Sequence, residues 1–190
     1  MQQKESIRDR IVSAAETLFT ERGFHRTAMA DLAIEANVSV GAIYRNFPGK
    51  AEIIRAIILK ETDETLHQVQ TEIDLVRSGG QTAHAALERL FVLSESDQAD
   101  ALRHEVIAEA HRNSDIGVLI ADFGGRFRAH FRDLARLIEP SLDDCVVEGV
   151  AELMVACMFG MANRDFTRPS LSGKDAAIAV TQLIMRGARA

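Results

Sequence analysis

Residues 27–50, TAMADLAIEANVSVGAIYRNFPGK, contain the side chains of this chain that are best suited to binding an extended polyanion. The tips of Tyr44 and Lys50 can donate hydrogen bonds to phosphate oxygens. Arg45 carries a planar fork of N–H donors, which matches the two acceptors that guanine presents on one edge. Such chemistry requires a small, rigid element that presents these side chains together.

Two short helices joined by a sharp turn account for the pattern of this segment. Thr27 is a candidate N-cap of the first helix, because its hydroxyl can accept a backbone N–H that otherwise has no partner. Asn37 tolerates a left-handed backbone, so we place the turn at residues 36–38. Ser39 offers a second cap, and the second helix is predicted from Val40 to about Phe47. The apolar face of the first helix comprises Met29, Leu32, Ala33 and Ala36.

The second helix has one predicted buried face and one predicted outward face. Ile43 and Phe47, four residues apart, are expected to pack against the first helix. The polar side chains expected to project outward are Tyr44, Arg45 and Asn46. Gly41 costs about 1 kcal/mol relative to Ala inside a helix. Two explanations for it remain open: another helix packs closely against Gly41, or the helix N-terminus approaches a nucleic-acid backbone.

Apolar and small residues recur in fixed register from Ile11 to Lys50. The pattern is Ile11-x-x-Ala14-Ala15-x-x-Leu18-Phe19, Gly23-Phe24, Thr27-x-x-x-x-Leu32-Ala33 and Val38-Ser39-x-Gly41-x-Ile43-Tyr44-x-x-Phe47-x-x-Lys50. With this pattern, residues 7–55 resemble the N-terminal DNA-binding domain of the TetR family of transcriptional regulators. The chain departs from the usual family pattern at Asn37, Val40 and Gly49. The resemblance implies an all-α protein with a three-helix helix-turn-helix domain in residues 1–49 and a helical effector-binding and dimerisation domain in residues 50–190.

The resemblance further implies that the first domain binds a double-stranded DNA operator. The expected contact residues are Thr27, Val40, Gly41, Ala42, Tyr44, Arg45, Asn46 and Lys50. We expect Thr27, Tyr44 and Lys50 to contact phosphates. Val40 and Ala42 would face thymine methyl groups, Arg45 would face guanine, and Asn46 suits either kind of contact. Because few long side chains lie at the helix tip, DNA shape is expected to contribute to specificity.

The charge of the chain is unevenly distributed. The formal net charge is −6 for 190 residues. Residues 1–60 contain 9 Lys and Arg against 7 Asp and Glu, a net of +2, and residues 61–190 carry a net of −8. Duplex binding needs basic groups near the phosphates rather than a basic protein overall. The charge distribution is therefore compatible with DNA binding by the first domain.

The remainder of the chain is predicted to be helical. The predicted helices cover 5–22, 50–77, 81–94, 98–112, 115–138, 142–164 and 173–187, in addition to the two described above. No strand pattern occurs, and no uninterrupted apolar run of about 18 residues predicts a membrane span. The charged N-terminus, MQQKESIRDR, does not resemble a secretion signal, so we expect a cytoplasmic protein.

The last two predicted helices are apolar over most of their circumference. Such helices are buried on more than one side, either centrally in a large core or in a helical interface between two copies of the chain. The family resemblance favours the homodimer. The residues expected at that interface are Val146, Val150, Leu153, Cys157, Gly160, Val180, Leu183, Ile184 and Gly187.

The central helices contain the candidates for a small-molecule effector pocket. These are Phe91, His104, Glu105, Phe123, Phe127, Met154, Met158 and Phe159, which combine apolar bulk with a few polar groups. An equally direct interpretation is core packing, because Phe123, Phe127 and Phe131 follow one another at four-residue spacing. The histidines are more often partly solvated than ligand-binding.

Other chemistry is poorly supported. Glu64-x-x-His67 matches one half of the helical di-iron motif, but that motif needs two copies and further carboxylates. No catalytic motif, cofactor site or metal site is evident, so we do not expect an enzyme. Cys145 and Cys157 lie about 18 Å apart along one helix and cannot form a disulfide within it. The alternatives to a repressor are an activator, or a protein-interaction module that uses the same helices.

Overall fold

A computed structural model of the protein describes residues 5–94 and 100–188. Within these ranges the regular structure is helical and no strand occurs, which confirms the all-α prediction. The helices are α1 Ile7–Arg22, α2 Met29–Glu35, α3 Val40–Asn46, α4 Lys50–Arg77, α5 Ala83–Ser94, α6 Asp100–Ala110, α7 Ser114–Ile138, α8 Asp144–Ala162 and α9 Gly173–Gly187, with a short 3₁₀ helix at Arg164–Thr167. The part of the predicted helix 98–112 before residue 100 lies outside the described residues.

The N-terminus of α1 is held by a reciprocal cap that the sequence analysis did not identify. The Ser6 hydroxyl accepts from the Asp9 backbone N–H at 3.1 Å, and the Asp9 carboxylate accepts from the Ser6 hydroxyl at 2.6 Å. These hydrogen bonds from Ser6 lower the pKa of the Asp9 carboxyl below its usual value, because they stabilise its ionised form. Gly23, with φ of 85°, ends the helix, in agreement with the predicted end at residue 22.

The chain packs as two compact units, and helices α4 and α7 each contribute to both. The first unit comprises residues 1–63 and 98–120, and the second comprises 64–97 and 121–190. The packing boundary therefore differs from the functional boundary expected at residue 50, because the first turns of α4 and helix α6 belong with α1 to α3. The assignment of DNA binding to residues 1–49 and of effector binding and dimerisation to 50–190 stays a prediction.

The core of the first unit forms around α1 and the first half of α4. Phe19, Ile43 and Phe47 are each at most 1% exposed, and the isoleucines that line one face of α4 are at most 3% exposed. Helix α6 contributes Leu102 and Val106 to the same cluster. Burial of a large apolar side chain contributes about 1.5–3 kcal/mol, so this cluster holds α2 and α3 against α1.

The second unit has a core of its own, made by α5, α8, α9 and the parts of α4 and α7 that belong to it. Its most deeply buried members include Phe91, Phe131 and Met154. Phe127 and Phe131 meet edge to face with ring centroids 4.9 Å apart. The phenylalanine stripe of α7 therefore packs in the core, as the core-packing interpretation of that stripe predicted.

Ion pairs connect α7 to α8 along their length. Arg128 and Arg132 lie 3.3 and 2.7 Å from Glu152 and Glu148, respectively, and Arg136 pairs with Asp144. The two helices run antiparallel, because the residue numbers of the arginines increase along the series while those of their acidic partners decrease. Each solvent-facing pair contributes only about 0–1 kcal/mol, so their main effect is to fix the register of α8.

Helix α8 is unusually apolar for its degree of burial. Among the described helices it alone is long and apolar enough, by length and composition, to cross a membrane. Only 28% of its apolar 18-residue stretch is buried. A helix that packs inside a soluble protein passes the same test. Glu148 and Glu152 on α8 pair with arginines of α7, and such charges are costly in hydrocarbon.

Candidate nucleic-acid interface

The turn between α2 and α3 is a well-formed Schellman motif. The Val38 N–H donates to the Ala33 carbonyl at 2.9 Å, and the Asn37 N–H donates to the Ile34 carbonyl at 3.0 Å. Asn37 has a φ of 51°, so it takes the left-handed conformation that the sequence predicted. Both bonds satisfy carbonyls at the end of α2, which makes the turn rigid and fixes where α3 begins.

Helix α3 begins with the predicted cap and exposes most of its first turn. The Ser39 hydroxyl accepts from the Ala42 N–H at 3.1 Å. Val40 is 42% exposed and Tyr44 is 54% exposed, and Gly41 and Arg45 are also exposed. These four residues, the outward face of α3, are therefore available for contact with another molecule.

Gly41 has open space around it. A Cβ built at Gly41 would meet nothing closer than the Arg45 Nη1 at 3.8 Å and the Ser39 Oγ at 3.9 Å. No helix of the described chain packs there, so close packing does not explain the glycine. The open space is compatible with the other explanation, in which the N-terminus of α3 approaches a nucleic-acid backbone.

Two residues expected at the DNA surface are less exposed than the outward face of α3. Ala42 is only 6% exposed, because it lies on the same side of α3 as the buried Ile43 and faces the core of the first unit. Asn46 is half-buried, and its side-chain amide donates to the Ala42 carbonyl at 2.8 Å. Asn46 therefore projects outward only in part and Ala42 offers little exposed surface, and the DNA contacts expected of both residues stay predictions.

Thr27 does not cap α2. The cap residue is Ala28, whose N–H donates to the Asp31 carboxylate at 2.9 Å. Thr27 is 1% exposed, and its hydroxyl donates toward the carbonyls of Gly23 at 3.0 Å and Leu18 at 3.3 Å. The prediction of a Thr27 cap is wrong, because the hydroxyl is committed to the end of α1. We accordingly leave Thr27 out of the phosphate contacts.

Lys50, expected to contact a phosphate, is engaged inside the protein. Its ammonium group donates to the carbonyl oxygens of Phe24 at 2.7 Å, Thr27 at 3.0 Å and His25 at 3.1 Å. The same Nζ lies 4.9 Å from the centroid of the Phe24 ring. An ammonium group has three N–H donors, so these three acceptors use all of them. In this conformation Lys50 fastens the loop before α2 to the start of α4.

The sequence analysis missed several basic residues of this unit. Arg8 and Arg10 of α1 donate to backbone carbonyls at the ends of α3 and α2. Lys60 pairs with Glu16 at 2.9 Å. Arg26 is exposed in the loop before α2. The sequence offered one indication of a contact role for Arg26: this residue directly precedes Thr27, where the first helix was predicted to begin. Three exposed arginines of the first unit that suit an electrostatic contact are Arg26, Arg45 and Arg55.

A shallow groove adjoins the outward face of α3. It has a volume of about 730 Å³ and is lined by Ala30, Ala33, Ile34, Asn37, Val38, Ser39 and Val40. Ile34 is 80% exposed, the most exposed of the large apolar side chains described. The surface next to the recognition helix is therefore apolar as well as open.

The comparisons with known proteins agree with this geometry. A profile described as "Bacterial regulatory proteins, tetR family" matches residues 11–57. The transcriptional regulator UidR of Escherichia coli K12 is 30% identical over 114 residues, which are 60% of this chain and 56% of UidR. The chain thus matches little more than half the length of that relative.

Residues 11–57 of this chain therefore match the DNA-binding domain of the TetR family.

Solved structures extend the likeness of fold to nearly the whole chain. GusR of Salmonella enterica superposes with a TM-score of 0.68 at 23% identity, covering 97% of this chain and 96% of GusR. FadR of Bacillus subtilis, solved in complex with stearoyl-CoA, gives a TM-score of 0.71 at 16% identity over 94% of this chain and 97% of FadR. At these identities the likeness establishes the fold of this chain and nothing about its ligand.

Most of the predicted dimer residues of α8 and α9 are exposed or half-buried. Leu183 is 68% exposed, Leu153 is 49% exposed and Val146 is 40% exposed. Gly160 and Gly187 are also exposed, and Val150, Cys157 and Val180 are half-buried. Ile184 is 3% exposed, because it points into the core of the second unit. We therefore define the α8–α9 face without Ile184.

The residues expected to line the effector pocket are divided between the two units. Phe91, Phe127, Met154 and Met158 belong to the core cluster of the second unit, and Phe123 packs against it. Helix α6, which carries His104 and Glu105, belongs to the first unit. Phe159 is 57% exposed. The aromatic and methionine residues of the second unit remain candidates for effector contact.

The cysteines and the acidic residues define no further site in the described part of the chain. Cys145 and Cys157 are both free thiols. Burial raises the pKa of the Cys157 thiol, because the charged thiolate is poorly solvated there. No group of three His, Cys, Asp or Glu side chains suited to a metal ion occurs among the described residues.

Proposed function

We propose that this chain is a ligand-responsive transcriptional regulator of the TetR family that represses transcription from a palindromic operator in the cytoplasm. The observation that carries the proposal is the outward face of α3. A rigid turn, a side-chain cap and a buried opposite face leave Val40, Gly41, Tyr44 and Arg45 exposed together. Nothing else in the described chain occupies that face, and its small N-terminal residues allow close approach to a duplex.

Each exposed residue has a contact that suits its chemistry. Tyr44 would donate from its hydroxyl to a phosphate and so fix the position of the helix. Arg45 would contact guanine or a phosphate, and Val40 would pack on a thymine methyl group. Arg26, exposed in the loop before α2, would contact a flanking phosphate. Because only Arg45 offers a long polar side chain on α3, we expect DNA shape to add to specificity.

The proposed dimer forms through the α8–α9 face. Leu153 and Leu183 are exposed on one chain although large apolar side chains are ordinarily buried, and exposed apolar surface of this kind is typical of an interaction site. Burial of the same patch on two copies gives a two-fold axis. Two recognition helices related by such an axis enter successive major grooves about 34 Å apart, so the operator would be palindromic.

The proposed effector is a small molecule that binds among the aromatic and methionine side chains of the second unit. FadR, which shares the fold, was solved with stearoyl-CoA, so this architecture can accommodate a ligand that carries a long acyl chain. In our proposal the effector releases the operator by favouring a dimer conformation in which the recognition helices no longer match the half-site spacing.

The proposal is tested by operator binding of Tyr44 and Arg45 variants. We expect Tyr44→Ala to weaken binding to all duplexes by about tenfold, because a lost phosphate contact carries no sequence information. Arg45→Ala should relax the preference at one position of each half-site if Arg45 contacts guanine. If Tyr44→Ala instead altered the preferred bases, the phosphate role of Tyr44 would be wrong. If neither variant changed DNA binding, α3 would not be the reading helix.

A further inference from the structure

Two arginines of α1 reach the C-terminal ends of both helices of the helix-turn-helix. Arg10 donates from Nη2 to the Asn37 carbonyl at 2.6 Å and also to the Ala36 carbonyl. Arg8 donates from Nη1 to the Asn46 carbonyl at 3.4 Å. The Arg8 guanidinium carbon lies 4.3 Å from the centroid of the Phe47 ring. A single helix thus holds the ends of α2 and α3 through cationic side chains.

The acceptors of these bonds are groups that helix geometry leaves unsatisfied. The last carbonyls of a helix have no partner within it, and the helix dipole places partial negative charge there. Ala36 and Asn37 form the turn in which Asn37 is left-handed. The guanidinium of Arg10 therefore bonds to the turn at the point where the chain changes direction from α2 to α3.

We infer that Arg10, assisted by Arg8, is a positioning residue that sets the orientation of the recognition helix. The inference rests on the proposed function, in which α3 reads the DNA. Arg10 is half-buried and two backbone carbonyls occupy its Nη2, so its charge acts within the protein rather than on a phosphate. The bond to the turn keeps α3 in the one orientation at which Val40 and Arg45 meet base edges.

A positioning role and a phosphate contact differ in their dependence on salt. Loss of one phosphate contact reduces the slope of log affinity against log salt by about 0.9 and weakens all duplexes equally. Loss of a positioning residue weakens binding to the operator, which needs correct alignment of α3. Binding to unrelated DNA, which needs only charge, keeps both its strength and its slope.

The first experiment compares Arg10→Met with the wild-type chain on an operator recovered by selection and on an unrelated duplex, from 50 to 300 mM salt. We expect the ratio of operator affinity to unrelated affinity to fall about tenfold, with the salt slope unchanged. Arg22→Met removes an exposed arginine from the last turn of the same helix and should leave the ratio unchanged. Equal weakening on both duplexes with a shallower slope, or an unchanged ratio, would overturn the inference.

The second experiment needs no DNA, so it separates this inference from the proposed function. Amide hydrogen exchange is measured at Asn37 and Val38, whose N–H groups form the Schellman bonds of the turn. In Arg10→Met these two amides should exchange about tenfold faster, while amides of the buried Ile11 and Leu18 keep their protection. Unchanged exchange at the turn would overturn the inference even if the chain bound no DNA at all.

A conservative variant covers the case in which Arg10→Met fails to fold. Arg10→Lys keeps the charge and can reach one of the two carbonyls. We expect it to give an intermediate loss of operator preference and intermediate exchange at the turn. If Arg10→Lys behaved as the wild type in both measurements while folding normally, the paired contacts of Arg10 would have no positioning role.

Discussion

Lys50 donates from Nζ to the carbonyl oxygen of Phe24 over 2.7 Å, and the same ammonium lies 4.9 Å from the centroid of the Phe24 ring. Bonds to the carbonyls of His25 and Thr27 complete its set of acceptors. The lysine at the start of α4 thereby holds the loop that leads into α2. Its sequence position close to α3 suggests that Lys50 binds a phosphate, but its hydrogen bonds indicate a structural role.

Lys50→Met should therefore destabilise the protein and leave the salt dependence of DNA binding unchanged. We expect a loss of about 2 kcal/mol in the free energy of unfolding, because partly buried carbonyls lose a charged donor. Urea denaturation gives the stability, and binding at several salt concentrations gives the slope. A normal stability combined with a slope reduced by about 0.9 would show that Lys50 contacts a phosphate after all.

The backbone of Asn37 predicts opposite effects for two substitutions. With φ of 51°, Asn37→Gly should leave stability unchanged or raise it by up to about 1 kcal/mol, because glycine has no Cβ to strain. Asn37→Val should lower stability by about 2 kcal/mol, because β-branched residues are strongly disfavoured there. Thermal unfolding measures both. Equal stability of the two variants would contradict a left-handed turn.

Helix boundaries and the turn were predictable because they depend on local chemistry. The left-handed Asn37, the Ser39 cap and the burial of Ile43 and Phe47 each follow from residue type and spacing, and each is present in the structure. The bounds of α4 and α9 match those predicted. Local preferences and apolar periodicity agree along this chain, so the sequence specifies its helices clearly.

The roles of Lys50 and Arg10 were not predictable, because the partners of these side chains lie far away in the sequence. Lys50 bonds to carbonyls 23 to 26 residues away, and Arg10 bonds to carbonyls 26 and 27 residues away. From its residue type alone, a basic residue that bonds to a distant turn cannot be distinguished from one that binds a phosphate. Ala42 is a similar case, because alanine suits both a buried and an exposed helical position. Tertiary packing determines the roles of these three residues, and the local sequence does not show it.

The α8–α9 face predicts that a charge at Leu183 prevents dimerisation. Leu183 is 68% exposed on one chain, so Leu183→Asp should fold as a monomer, whereas an aspartate buried in a dimer interface is costly. Analytical ultracentrifugation measures the mass. Val118→Asp is a matched control, because Val118 is 70% exposed on α7, outside this face. A dimeric Leu183→Asp, or a monomeric Val118→Asp, would refute the assignment of the interface.

The two free cysteines report on the same interface. Cys145 is exposed, whereas Cys157 is half-buried and its pKa is raised by that burial, so Cys157 should react more slowly with a thiol reagent. In the Leu183→Asp monomer we expect faster modification of Cys157 and no change at Cys145. Mass spectrometry after timed alkylation distinguishes the two sites. Unchanged reactivity of Cys157 in a monomer would place it outside the interface.

His130 predicts part of the acid sensitivity of the fold. Burial lowers the pKa of His130 below its usual value of 6.5, an effect that Arg126 reinforces and that Asp133 and Asp74 oppose. The unfolded chain then binds the proton more readily, so stability is lost as the pH falls through about 6.5. His130→Gln should reduce the loss between pH 7.5 and 5.5, measured by urea unfolding. His67→Gln, at an exposed position of α4, is the control, and an equal effect of both substitutions would argue against burial as the cause.

The central claim is that a dimer reads DNA through two copies of α3, and a random-sequence selection with the full chain tests it most directly. We predict enrichment of a palindrome whose half-sites lie about 34 Å apart, bound by two chains per duplex, with affinity that falls steeply with salt. Absence of any enriched sequence, or enrichment of a single asymmetric site bound by one chain, would contradict the claim.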